Sequence, residues 1–177
     1  MSANFFEMVR GALAAPDLAL TGRLANILVL SDVEPGDNVV VQAAKTREHL
    51  LLYLAVLRAG AVYVPVDAGV PLPELEPVIA AARPKVVVCD PAQRDGLAPI
   101  AEKCGVSAVQ TLDAHGAGML TESAAKAPSE FADVPREEVD LASVYGGTKL
   151  THRELAARGK ALINEGSWLD VLTQRRN

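Results

Sequence analysis

The spacing of apolar residues changes period repeatedly along the chain, and each change marks an element. Phe5, Met8, Val9 and Leu13 recur at helical spacing and predict an amphipathic helix at the start. Leu24, Ile27, Leu28 and Val33 give a second helical face, and Glu34-Pro35-Gly36-Asp37 after it is a strong turn signal. Val39-Val40-Val41 then reads as a buried strand. Thr46 is suited to cap a helix that runs to Gly60, a residue that favours helix ends. Ala61 to Val66 is the next strand-like block, with Pro65 bending or ending it.

Pro71-Leu72-Pro73 leads into a helix carrying Leu75, Val78 and Ile79, which must stop before Pro84. Val86-Val87-Val88 predicts a third buried strand within Lys85 to Asp90. Pro91 suits the first turn of a helix ending near Gly105, and Ser107 to Leu112 gives a weaker fourth strand. Strands separated by helices of this length imply right-handed crossovers and a largely parallel sheet. The expected fold class is therefore α/β, a layered, mostly parallel sheet with flanking helices.

Residues 114–140 differ in character, being rich in Ala, Ser and acids with Pro128 and Pro135. They predict a short helix between mobile connections. Leu141 to Tyr145 resumes as a strand, and Thr151 with Glu154 three residues on forms a capping-box pattern that opens a helix. Trp168, Leu169, Val171 and Leu172 in the tail suggest one more amphipathic turn or an unattached apolar end. The whole reads as one incomplete α/β domain over 1–177: an N-terminal helix and shortened entry segment (1–20), a regular block (21–113), an irregular linker (114–140), and a strand, glycine loop, helix and tail (141–177).

Composition narrows the function classes. The 177 residues suffice for one domain with a substantial core. Half are hydrophobic but only 4% aromatic, so the core is mostly Ala, Val and Leu, as buried parallel strands and their helices require. The net charge of −5 comes with scattered Lys and Arg, and the absence of a basic stripe argues against nucleic acid. Cys89 and Cys104 have neither metal-ligand nor disulfide spacing, which favours buried, reduced thiols and a cytoplasmic setting. Met1 to Ala15 lacks a basic n-region, and Leu50 to Leu57 is far short of a bilayer span, so no membrane association is expected.

One segment carries candidate chemistry: a strand, then Gly146-Gly147-Thr148-Lys149, then a helix. Glycines let backbone amides approach an anion, a helix N-terminus adds positive potential, and Thr148 and Lys149 supply a hydroxyl and a charge. The spacing is too short for a Walker loop. The same residues also read as a tight glycine turn joining a strand to a capped helix. His49 reads as a solvated or capping histidine, His115 as a loop residue without a partner, and His152 as a first-turn residue beside the glycines. Asp67 follows a strand at the sheet edge where α/β proteins place ligands, although a lone Asp there also serves as a turn residue. No metal-ligand pattern is present, so no metal site is expected.

The blocks resemble, in order, the front part of the adenylate-forming acyl-CoA synthetases, and among them the malonyl-CoA synthetases. Residues 21–29 resemble that family's early helix and residues 35–42 the following turn and strand. Tyr53-Leu54-Ala55-Val56-Leu57-Arg58-Ala59-Gly60-Ala61-Val62-Tyr63-Val64-Pro65 is the most specific stretch, similar to the family's helix-to-strand passage ahead of its phosphate loop. The resemblance implies ATP, Mg²⁺ and CoA as reactants, with a carboxylate activated as its adenylate and then passed to the CoA thiol.

Departures from the family pattern shape the functional expectation. Leu18-Ala19-Leu20 runs straight into Thr21, where the family carries a further strand and helix start. The family's loop, Tyr-Thr-Ser-Gly-Thr-Thr-Gly followed by Lys-Gly and Leu-Thr-His, is reduced to Tyr145-Gly146-Gly147-Thr148-Lys149-Leu150-Thr151-His152. The later adenine, acyl and catalytic-lysine motifs have no counterpart in the 177 residues. These gaps imply an inactive synthetase-like chain with no catalytic residues, in which Gly146, Gly147, Thr148 and Lys149 are the remnant nucleotide contacts and neither ATP nor AMP is held tightly. A weak phosphate-binding module is the first alternative. The second is an interaction module that associates with itself or with a complementing protein through exposed apolar surface.

Overall fold

The computed structural model describes residues 1–164, with side chains as far as Arg158. Asn4 opens the first helix, α1 (Phe5–Val9), by accepting a hydrogen bond from the Phe6 amide, and the helix buries Phe5 and Phe6. Of the expected face, Phe5 is buried and Val9 and Leu13 pack half-buried against the core, whereas Met8 is 40% exposed and Phe6 is buried instead. The reason is that α1 is only one turn long and gives way at Arg10 to a 3-10 turn containing Gly11.

Helix α2 (Ala15–Leu30) has Pro16 in its first turn and takes in Leu18-Ala19-Leu20, so it starts earlier than the sequence pattern implies. Val33 lies beyond its end but is buried all the same. The strands are β1 (Asn38–Gln42), β2 (Val62–Pro65), β3 (Val86–Cys89), β4 (Ala108–Thr111), β5 (Leu141–Tyr145) and β6 (Thr148–Thr151). Between them run α3 (Arg47–Arg58), α4 (Leu72–Ala82), α5 (Arg94–Lys103) and the short α6 (Met119–Ala124), and α7 (His152–Asn164) follows β6. Thr46 caps α3 as its sequence position implies, accepting from the His49 amide at 3.1 Å.

The strands form one sheet in the order β4-β3-β1-β2-β5-β6. The first five are mutually parallel, and β6 returns antiparallel to β5. Alternation along the valine strands sorts the side chains onto two faces. Val39 and Val41, with Val86 and Val88, join the core under α2 and α3. Val40, Val62, Val64 and Val87 pack with Leu75 and Ile79 of α4 and Leu97 of α5. Burial on both faces explains why these strands are continuous apolar runs, each such side chain contributing roughly 1.5–3 kcal/mol.

The irregular segment 114–140 is tied to the core at several points. Arg58, 4% exposed at the end of α3, donates from Nε to Asp133 at 2.7 Å and from a terminal nitrogen to the Phe131 carbonyl at 2.7 Å. Asn26 of α2 donates to the carbonyls of Pro128 and Glu130. Among the described residues no helix is long and apolar enough to cross a membrane. The tail expected to carry Trp168, Leu169, Val171 and Leu172 lies outside the described residues.

Candidate functional site

Strand β5 ends at the carboxyl edge of the sheet, the edge at which open α/β folds place ligands. Tyr145 pairs directly with Thr148, and Val144 with Lys149, so only Gly146 and Gly147 lie between the two strands. Their φ angles are +55° and +82°. Positive φ at both central residues is the pattern of the type I′ turn, whose twist matches that of the strands it joins. A methyl group on either glycine would meet no atom within 4 Å. Glycine is needed here for backbone conformation and not for close approach of a neighbour.

The expected order of strand, loop and helix is therefore corrected. Gly146 and Gly147 close a hairpin, and Thr148 and Lys149 are exposed residues of β6 rather than loop residues at a helix N-terminus. Four residues of strand separate the turn from α7.

Helix α7 does begin with the expected capping box. The Glu154 amide donates to Thr151 Oγ1 at 3.2 Å, and the Thr151 amide to the Glu154 carboxylate at 2.9 Å. The His152 amide donates to the Asp140 carbonyl at 2.9 Å and the Arg153 amide to the Glu138 carbonyl at 3.0 Å. Helix N-termini attract anions through amides that lack partners. Here those amides are taken. Gly146 and Gly147 thus form a two-residue turn, and the amides of His152, Arg153 and Glu154 behind it are already engaged.

The structure brings Asp67 to the same edge. The Tyr145 hydroxyl lies 3.3 and 3.4 Å from the two carboxylate oxygens of Asp67, which places a negative charge beside the turn. Gln42, at the end of β1, holds the loop after β2 by donating to the carbonyls of Asp67 at 3.1 Å and Val70 at 2.8 Å. Neither link is visible in sequence, because β1, β2 and β5 meet only through the sheet.

The histidines fall in three unrelated places. His49 is not solvated: it is 8% exposed, with Nδ1 3.1 Å from the Ala44 carbonyl and Nε2 2.7 Å from the Tyr63 hydroxyl. A carbonyl only accepts, so Nδ1 carries the proton and Nε2 accepts from Tyr63. Burial depresses the His49 pKa and raises that of Tyr63. His115 is exposed, and its amide donates to Asp113 at 2.7 Å in a turn whose backbone donors hold the Asp113 carboxyl below the usual range. His152 is fully buried, and its Nδ1 accepts from the Phe5 amide at 3.0 Å, so it belongs to the junction of α1 and α7 rather than to the turn.

Cys89 is buried in β3, and burial pushes its thiol up to about 11, while Cys104 is half-buried against the same core. Among the described residues no group of three or more His, Cys, Asp or Glu side chains is placed to hold a metal ion.

The mostly parallel sheet with helices on both faces is the fold of the N-terminal part of the adenylate-forming enzymes. The sequence profile of the AMP-binding enzymes matches residues 18–145, and the chain belongs to that family. The match stops at Tyr145, the last residue before the turn. Apo MatB from Rhodopseudomonas palustris superposes with a TM-score of 0.86 at 39% identity, covering 93% of this chain and 38% of that one. The acyl-CoA synthetase of Brucella canis superposes at 0.71 with 25% identity, covering 84% of this chain and 29% of that one. The hybrid PKS-NRPS synthetase xenE of Xenoacremonium sinensis is 26% identical over 147 residues, 80% of this chain and 4% of that protein. The chain thus spans well under half the length of the relatives it matches.

Proposed function

We propose that the chain is an acyl-CoA synthetase-like α/β unit of the malonate-activating type, and that by itself it does not turn over ATP. The observation that carries this reading is the pairing of Tyr145 with Thr148, which leaves a two-residue turn where the family has a phosphate loop. Identity of 39% with MatB over 93% of the chain supports the relationship to that branch of the family. Adenylation needs charge stabilisation on the phosphates, and loss of a single comparable donor costs about 2.7–4 kcal/mol elsewhere. Losing several such donors removes a large share of the stabilisation that the adenylation step needs.

The test is pyrophosphate release from ATP, Mg²⁺, malonate and CoA. The expected rate equals that of buffer. Turnover that is saturable in malonate and scales with protein concentration would overturn the reading.

A further inference from the structure

We infer that His152 is an acid-operated latch that fastens the N-terminal segment to the start of α7. The first amides of a helix have no partner within it. In α1 the Phe6 amide is taken by Asn4 Oδ1, while the Phe5 amide is taken by His152 Nδ1 at 3.0 Å, across 147 positions of sequence. That bond requires an unprotonated Nδ1, so the ring is neutral with its proton on Nε2. Nε2 is itself buried and has no hydrogen-bond partner among the described residues.

The surroundings oppose a charge on the ring. The Ala3 amide donates to the Arg136 carbonyl at 2.7 Å and Asn4 Nδ2 to the Val134 carbonyl at 2.8 Å, so the N-terminal residues lie along segment 134–140. Within that segment Arg136 Nε is 3.2 Å from Asp140 Oδ2, and these two charged groups are the ones that act on His152. Glu7 on α1 and Arg10 just after it are exposed, as are Arg153 and Glu154 on α7 and Glu137 and Glu138 before β5. β5 carries no charged residue, and Arg58 at the end of α3 is paired with Asp133.

Protonating His152 would set a second N–H against the Phe5 amide and a second cation beside Arg136 in a buried setting. Both effects push the segment off. Burial, reinforced by Arg136, holds the His152 pKa down to about 4. A released segment returns the ring toward its ordinary value near 6.5. The closed state is therefore fully favoured above about 6.5 and loses its advantage as pH falls toward 4. Opening would expose Phe5 and Phe6 while leaving the sheet intact.

The experiment is amide exchange at Phe5 and Phe6, followed by NMR on the full chain between pH 7 and pH 5 and expressed as protection relative to the unfolded rate. Protection in the wild type is expected to fall roughly tenfold or more, while amides of β1 and β3 keep theirs. In His152→Asn, whose side-chain carbonyl can accept from Phe5 but does not titrate, protection should stay level. Constant protection in the wild type, or an equal fall in His152→Asn, would overturn the latch. Should that variant fail to fold, titration of the His152 ring protons in the wild type decides the matter. A midpoint well below 6.5 that tracks the Phe5 amide shift supports the latch, and an ordinary midpoint with Phe5 still protected refutes it.

Discussion

Tyr145 and Thr148 face each other across the last rung of the β5–β6 ladder, joined by two glycines of positive φ. A turn of this kind fixes register and twist at once, so the segment behaves as a hairpin with its own conformational preference. The proposed lack of turnover rests on this relationship.

If the glycines serve only backbone conformation, substitution should follow φ rather than space. Gly147→Ala is expected to cost about 1 kcal/mol, because open space around the turn does not relieve the left-handed backbone. Gly146→Asn should be near neutral, since Asn-Gly suits the same turn. Urea midpoints of the two variants check the ordering, and equal large losses would point to a packed loop instead.

The pair Arg58–Asp133 should be among the most costly to break. Both side chains are buried, and Arg58 also donates to Thr21 Oγ1 at 3.1 Å and to the Phe131 carbonyl. Removing one member leaves an uncompensated buried charge, at a cost of about 3–5 kcal/mol. Asp133→Ala is therefore expected to lower stability strongly and to loosen residues 128–136 first, as read by limited proteolysis. A loss under about 1 kcal/mol would show that the pair is incidental.

His49 gives a second pH-dependent term, distinct from that of His152. Its folded pKa lies below the ordinary 6.5, so its contribution is complete above that pH and declines as pH falls below it. Stability measured at pH 7.5 and pH 5 should differ less in His49→Gln than in wild type. Tyr63→Phe should cost about 1–2 kcal/mol, since it leaves the buried Nε2 without its donor. An unchanged pH dependence in His49→Gln would refute the assignment.

The thiols should separate kinetically. Cys104 is half-buried whereas Cys89 is buried, with its thiol raised to about 11. Ellman's reagent at pH 8 is expected to modify Cys104 in the native protein and Cys89 only on unfolding. Cys104→Ser should then show no native-state reaction, and a remaining fast thiol would contradict the buried placement of Cys89.

Much of the scaffold was legible because its signals are local. The valine runs at 39–41 and 86–88 carry their own strand pattern, Thr46 precedes its helix directly, and Thr151 with Glu154 spells a capping box within four residues. β6 was not legible, since Thr148-Lys149-Leu150-Thr151 is short, largely polar and abuts that box, so a hairpin read as the approach to a helix. The burial of His49, Arg58 and His152 was hidden for a different reason. Their partners Tyr63, Asp133 and Phe5 lie 14, 75 and 147 positions away and meet them only once the chain has folded. The candidate site was visible as a place in the sequence, but its geometry was set by pairing across strands.

We propose that the closed hairpin of Gly146 to Lys149 holds no nucleotide phosphate. A titration of the ¹⁵N-labelled chain with MgATP into the millimolar range tests it most directly, with the amides of Gly146, Gly147, Thr148 and Lys149 as reporters. These four resonances are expected to stay in place. Saturable shifts at them, abolished by Lys149→Ala, would contradict it.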